Sequence, residues 1–209
     1  MIKKILLLTF LIYSSILFSQ ENALSFGVKG GLTYASFVDN ISYDIPAEYS
    51  GNLGFQIGGF TALALNEKMA VRAEILFSQQ NTKWVVDPSD INIADVNDPN
   101  FYSSFEGTIQ ESMLLLPVLF EYSFTEQFYV EAGPQLGYSL NRKLEYEGDP
   151  NIGGFIRNGN TEKFEVGVGL GVGYWLSKAF ALNLRYTYSI VERYNVHTSV
   201  LQLGAYYSL

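Results

Sequence analysis

The stretch FEVGVGLGVGYWLSKAFALNLRYTYSI (164–190) alternates over nearly its whole length. In its first half Phe164, Val166, Val168, Leu170, Val172 and Tyr174 share one face, and Glu165, Gly167, Gly169, Gly171 and Gly173 share the other. In its second half Phe180, Leu182, Leu184, Tyr186 and Tyr188 oppose Asn183, Arg185, Thr187 and Ser189. A period of two belongs to strands, where successive side chains point to opposite faces. The short break at 177–179 makes the two strands antiparallel neighbours. One face is an unbroken apolar row, while the other mixes glycine with polar and charged groups. That is the pattern of a strand with one face in grease.

The same alternation recurs on both sides of this hairpin. Phe26, Val28, Leu32 and Tyr34 oppose Gly27, Lys29, Gly31 and Thr33; Leu53, Phe55, Ile57, Gly59 and Thr61 oppose Gly54, Gln56, Gly58 and Phe60. Met69, Val71, Ala73, Ile75 and Phe77 oppose Arg72, Glu74, Leu76 and Ser78. Stretches at about 108–122, 128–138 and 199–209 complete a set of about eight. Each is about ten residues or more, the length a tilted strand needs to cross a bilayer. Pro117 interrupts the fourth stretch, and a β-bulge is expected there.

Segments 66–68, 124–127 and 177–179 are short, while 38–51, 83–107 and 142–162 are long and polar, and 191–196 is moderate. Short turns alternating with long loops are the habit of outer-membrane barrels. Aromatic residues gather at both strand ends. Phe26, Tyr122, Phe124, Phe128, Trp175, Phe180, Tyr206 and Tyr207 lie toward the short turns, and Tyr34, Phe77, Trp84, Tyr138, Phe164, Tyr186 and Tyr188 toward the long connections. Two aromatic belts mark two membrane interfaces. The expected fold is all-β: an eight-stranded antiparallel up-and-down transmembrane β-barrel. A soluble lipocalin-like barrel would need the inverse arrangement, apolar inside and polar outside.

Composition agrees. The 209 residues include 15 Tyr, 15 Phe and 19 Gly, but only 16% are charged, against about 25% in an ordinary soluble domain. The absence of cysteine excludes disulfides and thiolate chemistry. One histidine excludes a histidine-rich metal site, and a net charge of −8 argues against nucleic acid as a partner. Lys3 and Lys4, the apolar run Ile5–Phe18 and small Ser19 read as a secretory signal peptide over 1–19, leaving a barrel domain over 20–209.

The segments FGVKGGLTYASF (26–37), GFQIGGF (54–60), MAVRAEILFSQQ (69–80), LLLPVLFEYSF (114–124), FYVEAGPQLGYSL (128–140) and VLQLGAYYSL (200–209) resemble the PorT-like outer-membrane β-barrel family of Bacteroidetes, a porin-family-like group. The likeness covers about 24–209 and is carried by Glu74, Pro117, Gly133-Pro134 and the glycine ladder at 167–173. It implies an eight-stranded barrel in the outer membrane of a Gram-negative cell envelope, with mostly unassigned activity and one branch in protein secretion and gliding. Gln202, Gly204, Tyr207 and Leu209 resemble the C-terminal signal read by the barrel-assembly machinery, with leucine where phenylalanine is more usual.

Candidate sites follow from the inward faces. Lys29, Arg72 and Arg185 are the bases there, and Glu74, Glu121, Glu131 and Glu165 the acids. An eight-stranded barrel is just wide enough for side chains to fill, so enclosed charges must pair. A satisfied salt-bridge core is the expectation, with a narrow gated channel for small solutes or ions as the alternative. Asp87, Asp90, Asp95 and Asp98, with Glu106 nearby, offer oxygens to calcium, but the spacing lacks the pattern of a calcium loop. His197 and Ser199 share one face near the start of the last strand and resemble in type the pair of outer-membrane lipid A deacylases, with Glu192 as acid; the order of elements differs from that family. The expected role is structural: a non-enzymatic scaffold without cofactor, seated in outer-membrane lipid, presenting long acidic loops to a protein partner. A lipid-modifying hydrolase is the remaining alternative.

Overall fold

The computed structural model describes residues 24–39, 47–86, 105–147, 162–193 and 196–209. They form eight strands: β1 (Leu24–Asp39), β2 (Ala47–Ala64), β3 (Met69–Val86), β4 (Phe105–Ser123), β5 (Phe128–Glu147), β6 (Phe164–Trp175), β7 (Phe180–Ser189) and β8 (Val196–Ser208). Each pairs antiparallel with its sequence neighbour, and β1 pairs with β8 from Gly27↔Ser208 to Asp39↔Val196, so the sheet closes into a barrel. Closure satisfies every strand's ladder and removes the edges that lipid cannot hydrate.

Three tight turns at one end share one device. Asn66 Oδ1 accepts from the backbone N–H groups of Lys68 and Met69. Thr125 Oγ1 accepts from those of Gln127 and Phe128, and Ser177 Oγ from those of Ala179 and Phe180. A short oxygen-bearing side chain that caps its own turn is why Asn, Thr and Ser occupy this position.

The alternation resolves into two environments. Phe26, Leu32, Ile57, Ile75, Leu170 and Leu203 point outward and are more than half exposed. On a soluble protein so large an apolar surface would be an interaction hazard; around a barrel it is the lipid-facing band. The opposite rows face the lumen and are buried, most of them polar: Lys29, Thr33, Gln56, Arg72, Glu74, Gln135, Arg185 and Gln202 among them.

Three expectations need correcting. Pro117 does not sit in a bulge: β4 holds its register past it, and each ladder only lapses for two pairs, those of Leu116 and Pro117 with β3 and those of Val118 and Leu119 with Pro134 and Gly133 of β5. A missing N–H costs a ladder bond without requiring an extra residue. The register shifts lie between Asn52 and Phe55, and beside Ser112/Met113. The second leaves Leu140 without a partner and reverses the alternation in β5, which sends Leu144 inward against Trp84 and its neighbours. Strands β3, β4 and β5 also run well into the segments expected as loops. Backbone pairing needs no apolar face, so it continues past the lipid band with Lys83, Lys143 and Glu145 outward in water. Lastly, Trp84, Trp175 and Tyr206 belong to no belt: Trp84 and Tyr206 are buried in the lumen, and Trp175 packs inward against Phe60 and Tyr206.

Candidate functional site in the barrel lumen

The lumen is filled in layers. In the middle, Glu74 of β3 receives two hydrogen bonds from Arg185 of β7 (Nη1 to Oε2, 2.9 Å; Nη2 to Oε1, 2.8 Å) and one from Lys29 Nζ of β1 (3.2 Å). The hydroxyl of Tyr206 on β8 accepts from Arg185 Nη2 and donates to Glu74 Oε1, both at 2.7 Å. Arg185 Nε donates to Glu131 of β5 at 2.7 Å, and Asn183 Nδ2 reaches the same carboxylate oxygen at 3.1 Å. Five strands from different parts of the chain thus meet in one connected network. A buried charge is tolerable only when a partner is supplied, and here each charge has one, although Glu131 Oε2 and Asn183 Oδ1 accept no hydrogen bond from the described residues.

The glycine row of β6 makes room for these groups. A Cβ on Gly169 would lie 3.5 Å from the Arg185 side chain, and one on Gly171 2.7 Å from a Glu131 oxygen. The wall is slim because arginine and glutamate fill the space beside it.

Toward the short turns lies Arg72. Its Nη2 donates to Glu121 Oε2 at 3.2 Å, with Nε 2.8 Å from Oε1. The guanidinium lies over the rings of Tyr206 (4.1 Å) and Phe60 (4.9 Å), with Tyr129 (5.7 Å) and Trp175 (6.0 Å) at the edge of cation–π range. Phe60, Ala62, Ala181 and Tyr206, with Trp175 against them, form an apolar plug at this end.

Toward the long connections a second ionic cluster appears. Arg193, from the segment between β7 and β8, donates Nη1 and Nη2 to the two oxygens of Glu111 (2.8 and 3.0 Å), and Nε and Nη2 to Glu165 (3.1 and 2.8 Å). Burial works against its charge, but the hydrogen bonds to Glu111 and the charges of both carboxylates hold its pKa above the usual arginine range. Phe37, Trp84, Ile109 and Val196, with Tyr49 and Leu144 packed on them, make an apolar cluster at this mouth.

Of the residues expected to form one lumen charge cluster, the structure joins Lys29, Glu74, Glu131 and Arg185. It seats Arg72 with Glu121, and places Glu165 apart with Arg193. Sequence reading missed Glu111 and Arg193. Glu111 shares the odd-numbered parity of Met113 to Glu121 and was accessible by extending that count. Arg193 lies beyond the regular alternation and carried no such signal.

The family described as outer membrane protein beta-barrel domain matches residues 18–192, most of the chain. The chain belongs to that family. No curated protein matches its sequence. Among solved structures, this outer-membrane barrel is similar to OprG from Pseudomonas aeruginosa (14% identity, TM-score 0.52, 90% of this chain and 96% of that one). It is also similar to Neisserial surface protein A (12% identity, TM-score 0.50, 87% and 96%). The attachment invasion locus protein of Yersinia pestis covers 88% of this chain and 98% of its own at 12% identity and a TM-score of 0.47. At such identities the likeness to OprG and to the Neisserial protein speaks for the fold: a ring of eight antiparallel strands.

The barrel's remaining candidates stand apart from the lumen. His197 Nδ1 contacts the carbonyl oxygen of Ser189 at 2.9 Å, Nε2 lies 3.5 Å from Glu192 Oε1, and the ring stacks on Tyr188. Among the described residues no hydrogen bond joins His197 to Ser199, which is ladder partner to Ser36 and Tyr188. Asp87, Asp90, Asp95 and Asp98 lie outside the described residues; within those, no three His, Cys, Asp or Glu gather to hold a metal ion. In β8, Gln202 and Gly204 face the lumen while Tyr207 and Leu209 are exposed.

Proposed function

We propose that this outer-membrane barrel is a sealed scaffold, not a conduit and not an enzyme. Its rigid wall holds the long acidic segments between β1 and β2, β3 and β4, and β5 and β6 at the outer face, where a protein partner meets them. The observation that carries this reading is the lumen: ion-paired layers at Glu74–Arg185 and Arg193–Glu111, flanked by an aromatic plug at one end and an apolar cluster at the other. The three connections at the opposite end are tight turns, too short to bind anything.

The same reading covers the finer points. Residues 1–19 are a cleaved signal peptide, and the barrel stands with the PorT-like branch of Bacteroidetes proteins. Gln202, Gly204, Tyr207 and Leu209 are the signal handed to the assembly machinery. His197 is a rim residue: both ring nitrogens are engaged elsewhere than at Ser199.

The test is electrical. Protein folded into a planar bilayer, and shown to be folded by heat-modifiable migration on a gel, passes no current. A stable unitary conductance from such protein would overturn the sealed reading in favour of a narrow channel. Crosslinking through 83–107 and 142–162 in native membranes then identifies the partner, and capture of none removes the scaffold role.

A further inference from the structure

Between the two ionic layers the lumen is lined by neutral groups: Leu76, Met113 and Leu115 form a fully buried apolar cluster there, and polar side chains line the rest. Gln56 of β2 and Ser78 of β3 are ladder partners, and Gln80 follows Ser78 on the same face. Gln135 lies on the lumen face of β5 beyond Glu131, and Gln202 of β8 is the ladder partner of Arg185. All five are at least nine-tenths buried. Both amide atoms of Gln56 and of Gln80, the hydroxyl of Ser78, and the carbonyl oxygens of Gln135 and Gln202 have no hydrogen-bond partner among the described residues. Gln202 uses its amide nitrogen on Thr187.

Seven unmet donor and acceptor atoms lie on these five side chains, and others lie elsewhere in the lumen, Tyr129 Oη and Asn183 Oδ1 among them. Leaving a buried amide without a partner is costly, and most such groups in proteins are satisfied by protein or by ordered water. A water needs about two to four polar partners and room for one probe sphere. The charged groups at either end are already paired with one another, so the lining selects no ion. It suits a neutral molecule that both donates and accepts.

The outer boundary of this region is Arg193. It comes from outside the strands, reaches into the barrel, and holds Glu111 of β4 and Glu165 of β6 together, with Glu111 the ladder partner of Gln80. We propose that the lumen between the Glu74–Arg185 layer and Arg193 is a dead-end chamber that binds water, and that Arg193 is the latch separating it from the outer medium. The chamber deepens the sealed-scaffold reading and rests on its closed short-turn end.

The chain has no cysteine, so single cysteines report access without background. Ser78→Cys places a near-isosteric thiol in the chamber, and Ala181→Cys places one in the plug beyond the Glu74–Arg185 layer. Methylmercury hydroxide, a small neutral thiol reagent, is added to protein folded in lipid vesicles, and labelling is followed by intact mass. Ser78→Cys labels slowly while Arg193 is present, and about tenfold or more faster with Arg193→Ala, because breaking a buried pair lowers the cost of local opening. Ala181→Cys stays slow in both backgrounds. Glu111→Gln, which weakens the latch from its other side, serves if Arg193→Ala does not fold.

Three results would overturn the proposal: equal rates at Ser78→Cys with and without the latch, no labelling there in any latch variant, or acceleration at Ala181→Cys in step with Ser78→Cys. Bilayer current through Arg193→Ala is read separately. Current with slow labelling at Ala181→Cys counts against the sealed scaffold, whereas failed labelling without current counts against the chamber alone.

Discussion

Arg185 and Glu74 face each other across the lumen through two parallel hydrogen bonds, although 111 residues separate them in the chain. Lys29, Glu131 and Tyr206 complete the same network. Its contribution to net stability is modest, since each charge also lost its hydration; its fragility is large, since each partner is indispensable to the other.

Glu74→Gln therefore destabilises the barrel by about 3–5 kcal/mol, the usual cost of stranding a buried charge. Urea unfolding from lipid vesicles checks this. A loss below about 1 kcal/mol, the scale of an exposed pair, would mean that the network is not closed in the membrane.

Arg72 and Glu121 are coupled, not merely adjacent. Arg72→Met and Glu121→Gln each destabilise, but together they cost less than the sum, by about 0.5–3 kcal/mol. A double-mutant cycle in vesicles measures the difference. Arg72→Met also shifts Trp175 fluorescence, because the guanidinium beside that ring is gone. Strict additivity in the cycle would show the two side chains to be independent.

Two glycines that look alike in sequence differ in space. A Cβ on Gly173 would lie 2.0 Å from the Tyr129 ring, whereas one on Gly30 meets nothing nearer than 3.9 Å. Gly173→Ala overpacks the plug and costs about 1–3 kcal/mol. Gly30→Ala stays within about 0.5 kcal/mol, as substitutions away from special contacts do. Equal unfolding midpoints for the two variants would contradict the packing at Tyr129.

On the lipid face, depth decides. Leu170, in the middle of β6, is 66% exposed, and Ile190, just past the end of β7, is 55% exposed. Leu170→Arg costs about 2–4 kcal/mol and Ile190→Arg about 0–1, if the first sits near the bilayer midplane and the second at its rim. Vesicle unfolding of the pair checks it; a reversed order would place the membrane band elsewhere on the barrel.

Much of this was legible beforehand. The outward rows from Phe26 to Leu209 and the inward set Lys29, Arg72, Glu74, Glu121, Glu131, Glu165 and Arg185 follow from alternation, because strand geometry assigns faces residue by residue. The strand ends did not follow. The apolar row stops at the lipid boundary, but backbone pairing in β3, β4 and β5 continues beyond it. Trp84, Trp175 and Tyr206 sit inside the wall although they lie at strand ends, because position along the chain says which end of the barrel a ring occupies, not which side of the wall.

The chain by itself determined that the protein is a barrel turned outward into lipid: a period of two, an unbroken apolar face, and short connections alternating with long ones are local properties. Which charges meet was decided only by the closed structure. Pairing across a lumen depends on the register of all eight ladders and on the shift beside Leu140, and no sequence separation encodes that sum. The same closure brings Arg193, read as part of a connection, onto Glu111 and Glu165. A residue outside the repeating pattern acquires its partners from the walls around it.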